Sequence, residues 1–305
     1  MKWEKQGLIF CPDSSKYWQR THAALPTALH LEGDLYRIFF TSRDADQRTY
    51  VGWFEWDASN PTAIGEVAQS PVLTPGPLGF FDDHGVQATA AVRHDGRIYL
   101  YYLGWNLGAP APLFYTAIGL AISKDDGRSF EKYSPAPIMD RSSFDPWIVS
   151  GGAVRKEGDQ WRMWYISGFK FEIPEAGGAK SFYDIKHAHS TDGIHWQRDG
   201  KVCLPLQKNE SNISRPSIVV EQGRYRAWYP TKKENRGYRI GYAESQDGLD
   251  WQRMDDRVGI EVSEEGWDAE ALDKQEVIAH RGKKFMLYNG NRFGFDGIGL
   301  AILTE

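Results

Sequence analysis

Apolar and polar residues alternate with period two over short runs that are broken by turns of Gly, Asp and Ser, and nothing along the chain reads as helical. One arrangement recurs: a polar turn with Gly, then an aromatic-rich run. It stands at Gly33-Asp34-Leu35-Tyr36, Gly96-Arg97-Ile98-Tyr99, Gly158-Asp159-Gln160-Trp161, Gly223-Arg224-Tyr225 and Gly282-Lys283-Lys284-Phe285. These glycines differ by 63, 62, 65 and 59 positions, so the period is roughly 60 residues. A small or β-branched run precedes each copy, as in Ala88 to Val92, and the pair predicts a β-hairpin. A third run follows (Ala117 to Ile122, Arg239 to Ala243, Gly297 to Ile302), then a tight turn and a fourth strand led by an aromatic residue. Asp125, Asp192 and Asp247 sit in those turns, where Asp and Gly are the residues the backbone selects.

Four strands per unit and five units predict an all-β chain, a five-bladed β-propeller of four antiparallel strands per blade occupying residues 1–305 as one domain. The fifth unit stops at Glu305 after three strands, while Trp3 to Phe10 is similar to the outer-strand segments that begin at Phe130, Trp196 and Trp251. The N-terminal strand is therefore expected to complete the last blade and close the ring. This closure puts Cys11 and Cys203 on non-adjacent blades, out of the ~7 Å reach of a disulfide.

Composition narrows the class. Hydrophobic residues reach 41% and aromatics 14%, too many for a disordered chain. A formal charge of −5 with scattered Lys and Arg supplies no stripe for a phosphate backbone, so nucleic acid is not an expected partner. No window approaches the ~18 apolar residues of a membrane helix, and with no leader-like segment and two cysteines the expected location is the cytoplasm.

In a propeller, the segments leading into the inner strands line one mouth of the central channel. Here they are Trp18 to Pro26, Phe80 to Gln87, Arg141 to Ser150, Asn212 to Pro216 and Gly266 to Lys274. Carboxylates converging from several blades are what glycosidic bond cleavage requires, one as acid and one to activate water or attack the sugar. Asp83, Asp145 and Glu270 are the expected catalytic set. Asp82, Gln87 and Trp147 are expected to contact the sugar, Trp147 by stacking. Asp after an aromatic residue also recurs by repeat symmetry at Asp82, Asp145 and Asp268, which fits an equal expectation that these serve the backbone. Arg20, His22, His84, Arg215 and Lys274 make the same rim basic and point to an anionic group on the substrate. His187 and His189 share a strand face without an identifiable third ligand, so packing is expected of them.

The five repeats, the Ser-x-Asp-Gly-x-x-Trp turns and Phe144-Asp145-Pro146 together resemble the five-bladed propeller glycosidase superfamily of invertases, levansucrases, arabinanases and mannoside phosphorylases, over the whole chain. The resemblance implies a carbohydrate substrate and places Asp145-Pro146 at the second of the family's acidic positions. Two positions depart: Ala24-Leu25-Pro26 stands where an Asp-Pro is expected, and Ser214-Arg215-Pro216 where a Glu is expected. Three readings stay open: a glycoside hydrolase with its carboxylates moved to Asp82 or Asp83 and Glu270, a phosphorylase or glycosyltransferase-like enzyme whose Arg20, Arg215 and Lys274 hold phosphate, and a non-catalytic glycan-binding propeller. None requires a cofactor, though an oxygen-rich channel leaves room for a cation such as Ca²⁺.

Overall fold

The computed structural model describes residues 1–108, 113–174, 180–234 and 236–305. Its first strand, β1 (Trp3–Phe10), belongs to the last group of strands. The next four, β2 (Thr21–Glu32), β3 (Leu35–Arg43), β4 (Thr49–Asp57) and β5 (Ile64–Val67), pair antiparallel in sequence. So do β6 (Gly85–His94), β7 (Arg97–Leu107), β8 (Phe114–Ser123) and β9 (Glu131–Lys132). The third group is β10 (Ile148–Glu157), β11 (Gln160–Glu172), β12 (Lys180–Ser190) and β13 (Gln197–Leu204). In the fourth, the inner strand is split into β14 (Glu210–Ile213) and β15 (Ser217–Glu221), both paired to β16 (Arg224–Lys233), with β17 (Arg239–Ser245) and β18 (Trp251–Arg253) outside. The last group is β19 (Asp273–His280), β20 (Lys283–Asn289) and β21 (Ile298–Leu303), and β1 pairs with β21 from Trp3↔Leu303 to Phe10↔Ile298.

The hairpin glycines at 33, 96, 158, 223 and 282 have φ between +56° and +79° with open space where a Cβ would stand. Their requirement is the left-handed backbone of the tight turn. The third-strand glycines answer a different one. Gly52, Gly119, Gly241 and Gly299 lie opposite Phe40, Tyr102, Tyr229 and Tyr288 of the second strand. A Cβ on Gly119 would fall 2.2 Å from Tyr102 Cζ. A ring, rather than a neighbouring backbone, fills the space that the sequence reserves there. In the third group Tyr165 faces Lys186 instead.

Three of the second-strand tyrosines reach an acid of the entering segment, whereas Tyr229 of the fourth group donates to Asp255 at 2.6 Å. Tyr102 donates to Asp82 (3.2 Å), Tyr165 to Asp145 (3.1 Å) and Tyr288 to Asp268 (3.0 Å). A cation from the outer strand completes each brace: Lys132 on Asp82 at 2.6 Å, Arg198 on Asp145 at 2.8 Å, and Lys5, from the N-terminal strand, on Asp268 at 2.7 Å. The brace thus ties the segment entering a group to its second and fourth strands. In the first group Phe40 has no hydroxyl, Trp18 stacks on it at 5.9 Å, and Gln19 is fully buried with neither amide atom partnered.

The five first strands surround one cavity of about 360 Å³, lined among others by Ala28, Thr89, Val154, Ile218 and Val277. The small side chains leave the bore open. Phe40→Tyr should supply Gln19 with the hydroxyl found at the equivalent positions and stabilise the protein by about 1 kcal/mol, raising Tm by roughly 2 °C. A fall in Tm on thermal unfolding would show that the Gln19 pocket is closed to a hydroxyl.

Candidate functional site at the upper mouth

Every inner strand is interrupted at the same depth. The β2–β3 ladder skips between Ala24 and Thr27, β6–β7 between Ala88 and Ala90, β10–β11 between Ser150 and Ala153, and β19–β20 between Asp273 and Glu276. In the fourth group Pro216, which has no N–H, separates β14 from β15. Bulged residues carry carbonyls without a ladder partner, and these need donors. Arg215 supplies them. Its Nη1 donates to Thr89 O (2.9 Å) and to Glu276 Oε2 (2.9 Å), and its Nη2 to Pro26 O (2.9 Å) and Gln275 O (3.0 Å). Arg215 is 3% exposed and crosses the bore, so the 360 Å³ cavity lies below it and the mouth above. Arg215 was expected to hold a substrate anion; here Nη1 and Nη2 are engaged by carbonyls of three other groups and one carboxylate, while its buried Nε has no partner.

Asp145, expected to be catalytic, is likewise engaged within the fold. It has no exposed surface and accepts from Ser142, Tyr165, Ser167 and Arg198, with Lys186 3.6 Å away. Asp82, 1% exposed, is the same brace in the second group, and neither is open to a sugar. The physical reason is the repeat: an entering segment must be fastened to its sheet, and a carboxylate between a tyrosine and a cation does this in three groups. Asp83 is half-buried, with Oδ2 accepting from Gly79 N at 2.8 Å. Glu270 is exposed and held through its main chain, its N–H donating to Asn291 Oδ1 (2.7 Å) and its carbonyl accepting from Arg239 (2.8 Å). No hydrogen bond or ion pair links Asp83, Asp145 and Glu270 among the described residues. Arg20 is exposed and donates to Ser14 O, His84 lies 4.4 Å from the Trp105 ring, and Gln87 is half-buried opposite Leu103. Trp147 is 8% exposed between Phe114 (5.4 Å) and Phe171 (4.8 Å), with its indole N–H unpartnered.

The structure does bring His22 and Lys274 together, and adds residues that lie outside the motifs. His22 and Leu25 on β2, Lys274 on β19 and Arg292 and Phe293 after β20 all have φ between +50° and +63°. Such backbone is costly for residues with a Cβ and gathers where surroundings hold it in place. Arg292 lies over Phe295 at 3.9 Å, Lys274 over Phe293 at 5.3 Å, and His22 packs edge-on to Phe295 at 5.4 Å. Burial, then the charges of Arg43 and Lys274, drives the His22 imidazole down to about 3, so it is neutral at physiological pH. Burial brings the Lys274 ammonium down to about 8, against the opposing pull of Asp273 and with Arg43 and Arg215 adding to the fall.

Asp273 is 3% exposed at the start of the β19 bulge, and burial raises its carboxyl against the pull of Lys274 and Arg215. Its field reaches the Tyr183 hydroxyl, which meets that of Tyr238 at 2.6 Å. Two other carboxyls are raised by burial: Glu276 beneath, paired with Arg215, and Asp184 on β12, pushed up to about 6 with Oδ1 unpartnered. Asp273 and Asp184 belong to no repeated motif, and nothing in the chain set them apart from its other acids. Among the described residues no three or more His, Cys, Asp or Glu side chains are grouped to hold a metal ion, and Cys11 and Cys203 are free thiols. His187 accepts from Arg162 Nε at 3.2 Å and its ring lies against His189. Among the described residues no helix is long and apolar enough to cross a membrane.

No family model matches the chain. The uncharacterized proteins Rv1502 (strain ATCC 25618 / H37Rv) and MT1551 (strain CDC 1551 / Oshkosh) of Mycobacterium tuberculosis are each 37% identical over 311 residues, covering 100% of both chains. Among solved structures, a complex of BT0996 with RGII matches with a TM-score of 0.77 at 18% identity, over 99% of this chain and 91% of that one. A glycosyl hydrolase from Bacteroides ovatus matches at 0.72 and 14% identity, over 96% and 90%. The beta-fructofuranosidase BmSUC1 of Bombyx mori matches at 0.69 and 15% identity, over 99% of this chain and 63% of that one. At these identities the likeness is one of fold.

Arg215→Met should cost at least about 3 kcal/mol in urea unfolding, because it leaves Glu276 and three bulge carbonyls without their donor. Unchanged stability would mean the fork is not structural. Asp184 gives a prediction with a definite sign. Its folded pKa, near 6, lies above the unfolded ~3.9. The ionised form is therefore penalised in the folded state, the penalty being absent below pH ~4 and complete above pH ~6. Asp184→Asn should stabilise the protein by about 2–3 kcal/mol at pH 8 and leave it unchanged at pH 4; equal effects at both pH values would contradict this.

Proposed function

We infer that this chain, which belongs to one family with Rv1502 of Mycobacterium tuberculosis and shares the fold of the propeller glycosidases, is a carbohydrate-active enzyme that cleaves a glycosidic bond at the upper mouth. The five strand groups are read as the blades of a five-bladed propeller closed by β1. The observation that carries the reading is Asp273: a buried carboxyl, raised by burial, at a bulge beside Lys274 and beneath an aromatic rim. A carboxyl displaced upward in this way suits the acid that protonates a leaving oxygen. Phe293, Phe295 and the Tyr183–Tyr238 pair offer faces and hydroxyls for a sugar. Asp184, also raised, is the second carboxyl proposed for the reaction.

Arg43, Lys274 and Arg292 surround a neutral His22 and favour an anionic group on the substrate. The RGII complex of a neighbouring fold supports a glycan as the ligand class. The same cations favour phosphate as a co-substrate, the second reading.

The test is a screen of acidic and neutral oligosaccharides and aryl glycosides, with and without phosphate, using wild type and Asp273→Asn. Turnover of an acidic glycan, lowered at least ~100-fold by Asp273→Asn with affinity retained, is expected. Product forming only with phosphate would select phosphorolysis, and tight uptake without product would select a glycan-binding protein. Because Lys274 loses its proton near pH 8, affinity for the acidic ligand should fall above that pH and be flat in Lys274→Met. Titration calorimetry from about pH 6 to 10 checks this; a wild-type affinity independent of pH would remove Lys274 from the contact.

A further inference from the structure

The charge around Asp273 is one-sided. Its carboxyl feels Lys274 on its own strand, Arg215 from the inner strand of the fourth group and Lys232 on β16, while the residue opposite it on β20 is the uncharged Asn289. On β2, His22 is neutral, and on β17, Arg239 is spent on the carbonyls of Tyr238 (2.9 Å) and Glu270 (2.8 Å). Two cations are offset: Arg215 by Glu276 (2.9 Å) and Arg292 by Asp296 (3.1 Å). Three are not. Arg43 donates to the uncharged Gln47 (3.2 Å), Lys274 donates to the carbonyl of Phe293 (3.4 Å), and Lys232 lies over the Tyr238 ring (5.8 Å), so none of these is ion-paired among the described residues.

A local excess of positive charge attracts an anion. It also acts on Asp273, which is 3% exposed and accepts from the Lys274 N–H at 2.7 Å. Burial raises this carboxyl, while Lys274, Arg215 and Lys232 pull it down. An anion resting on Lys274, Lys232 and Arg43 cancels part of that pull and adds its own repulsion. Both effects favour the protonated carboxyl, and by linkage the anion is held more tightly where Asp273 is already protonated.

We propose that the upper mouth takes up a proton when it binds an anion: the ligand neutralises Lys274, Lys232 and Arg43, and Asp273 passes to its acid form. The proposal rests on the reading of Asp273 as the acid and deepens it, because the charge of the substrate then arms the group that protonates the leaving oxygen. A neutral glycan would bind without arming it.

The experiment is a pH-stat titration of the full chain in unbuffered solution between about pH 5 and 7, below the range in which Lys274 loses its proton. The probes are glucuronate and inorganic sulfate, neither of which titrates there, with glucose as the neutral control. Both anions should draw in a fraction of a proton, on the order of 0.5 at the maximum, and glucose none. Calorimetry should show affinity for the anions falling about tenfold as pH rises across this range. Asp273→Asn should abolish the uptake and the pH dependence, and should bind both anions as tightly as wild type does at the acid end. If that variant fails to fold, the wild-type uptake set against the glucose control decides alone. Uptake undiminished in Asp273→Asn, equal uptake with glucose, or anion binding without uptake overturns the proposal. So does failure of both anions to bind at tens of millimolar. These outcomes leave Asp273 as an acid toward a neutral glycan, whereas proton uptake without turnover of any glycan would remove that role and leave the coupling standing.

Discussion

One guanidinium holds the centre of this protein. Arg215 enters the bore from the fourth strand group and satisfies carbonyls of the first, second and fifth, together with Glu276. Charge-assisted hydrogen bonds of this kind contribute about 1.5–3 kcal/mol each, but the larger constraint is the cost of leaving the acceptors bare. The bulges at Leu25-Pro26, Thr89 and Lys274-Gln275 turn carbonyls inward, and the bulges are tolerable only because a multivalent donor meets them. A lysine, with one compact ammonium, could not span these acceptors. The bore is thereby divided into a lower cavity and an upper mouth.

The mouth inherits its chemistry from that division. Above the plug, the β19 bulge sets Asp273 and Lys274 side by side in poorly solvated surroundings, which push the carboxyl up and the ammonium down toward each other's range. The left-handed backbone of His22, Leu25, Lys274, Arg292 and Phe293 belongs to the same place. Such backbone on two neighbouring groups, above the Arg215 floor, persists only where its surroundings hold it in place.

Carboxylates elsewhere serve the scaffold. Asp82, Asp145 and Asp268 each stand between a tyrosine twenty residues on and a cation of the outer strand. Lys5 of β1 supplies the cation for Asp268, so the N-terminal strand is fixed by charge as well as by its ladder to β21. Where a repeat loses a member of this set, the loss is visible: in the first group, where Phe40 replaces the tyrosine, Gln19 is buried with neither amide atom partnered.

The hairpins, the five strand groups, the Asp-Gly turns, and the pairing of Trp3–Phe10 with the last strand were legible in the chain, because each depends on residues close in sequence or on a period that repeats. Period-two alternation and left-handed glycines act within a few residues, and repetition displays them five times. The division between bracing carboxylates and those raised by burial was not legible, since Phe81-Asp82 and Phe144-Asp145 read alike whether their oxygens face a tyrosine or a pocket. Nor was the role of Arg215, whose partners lie 126 and 189 residues away in sequence and meet it only once the inner strands surround one bore. Which acids are spent on the fold and which are raised by burial is a property of distances between groups, and those distances exist only in the folded protein.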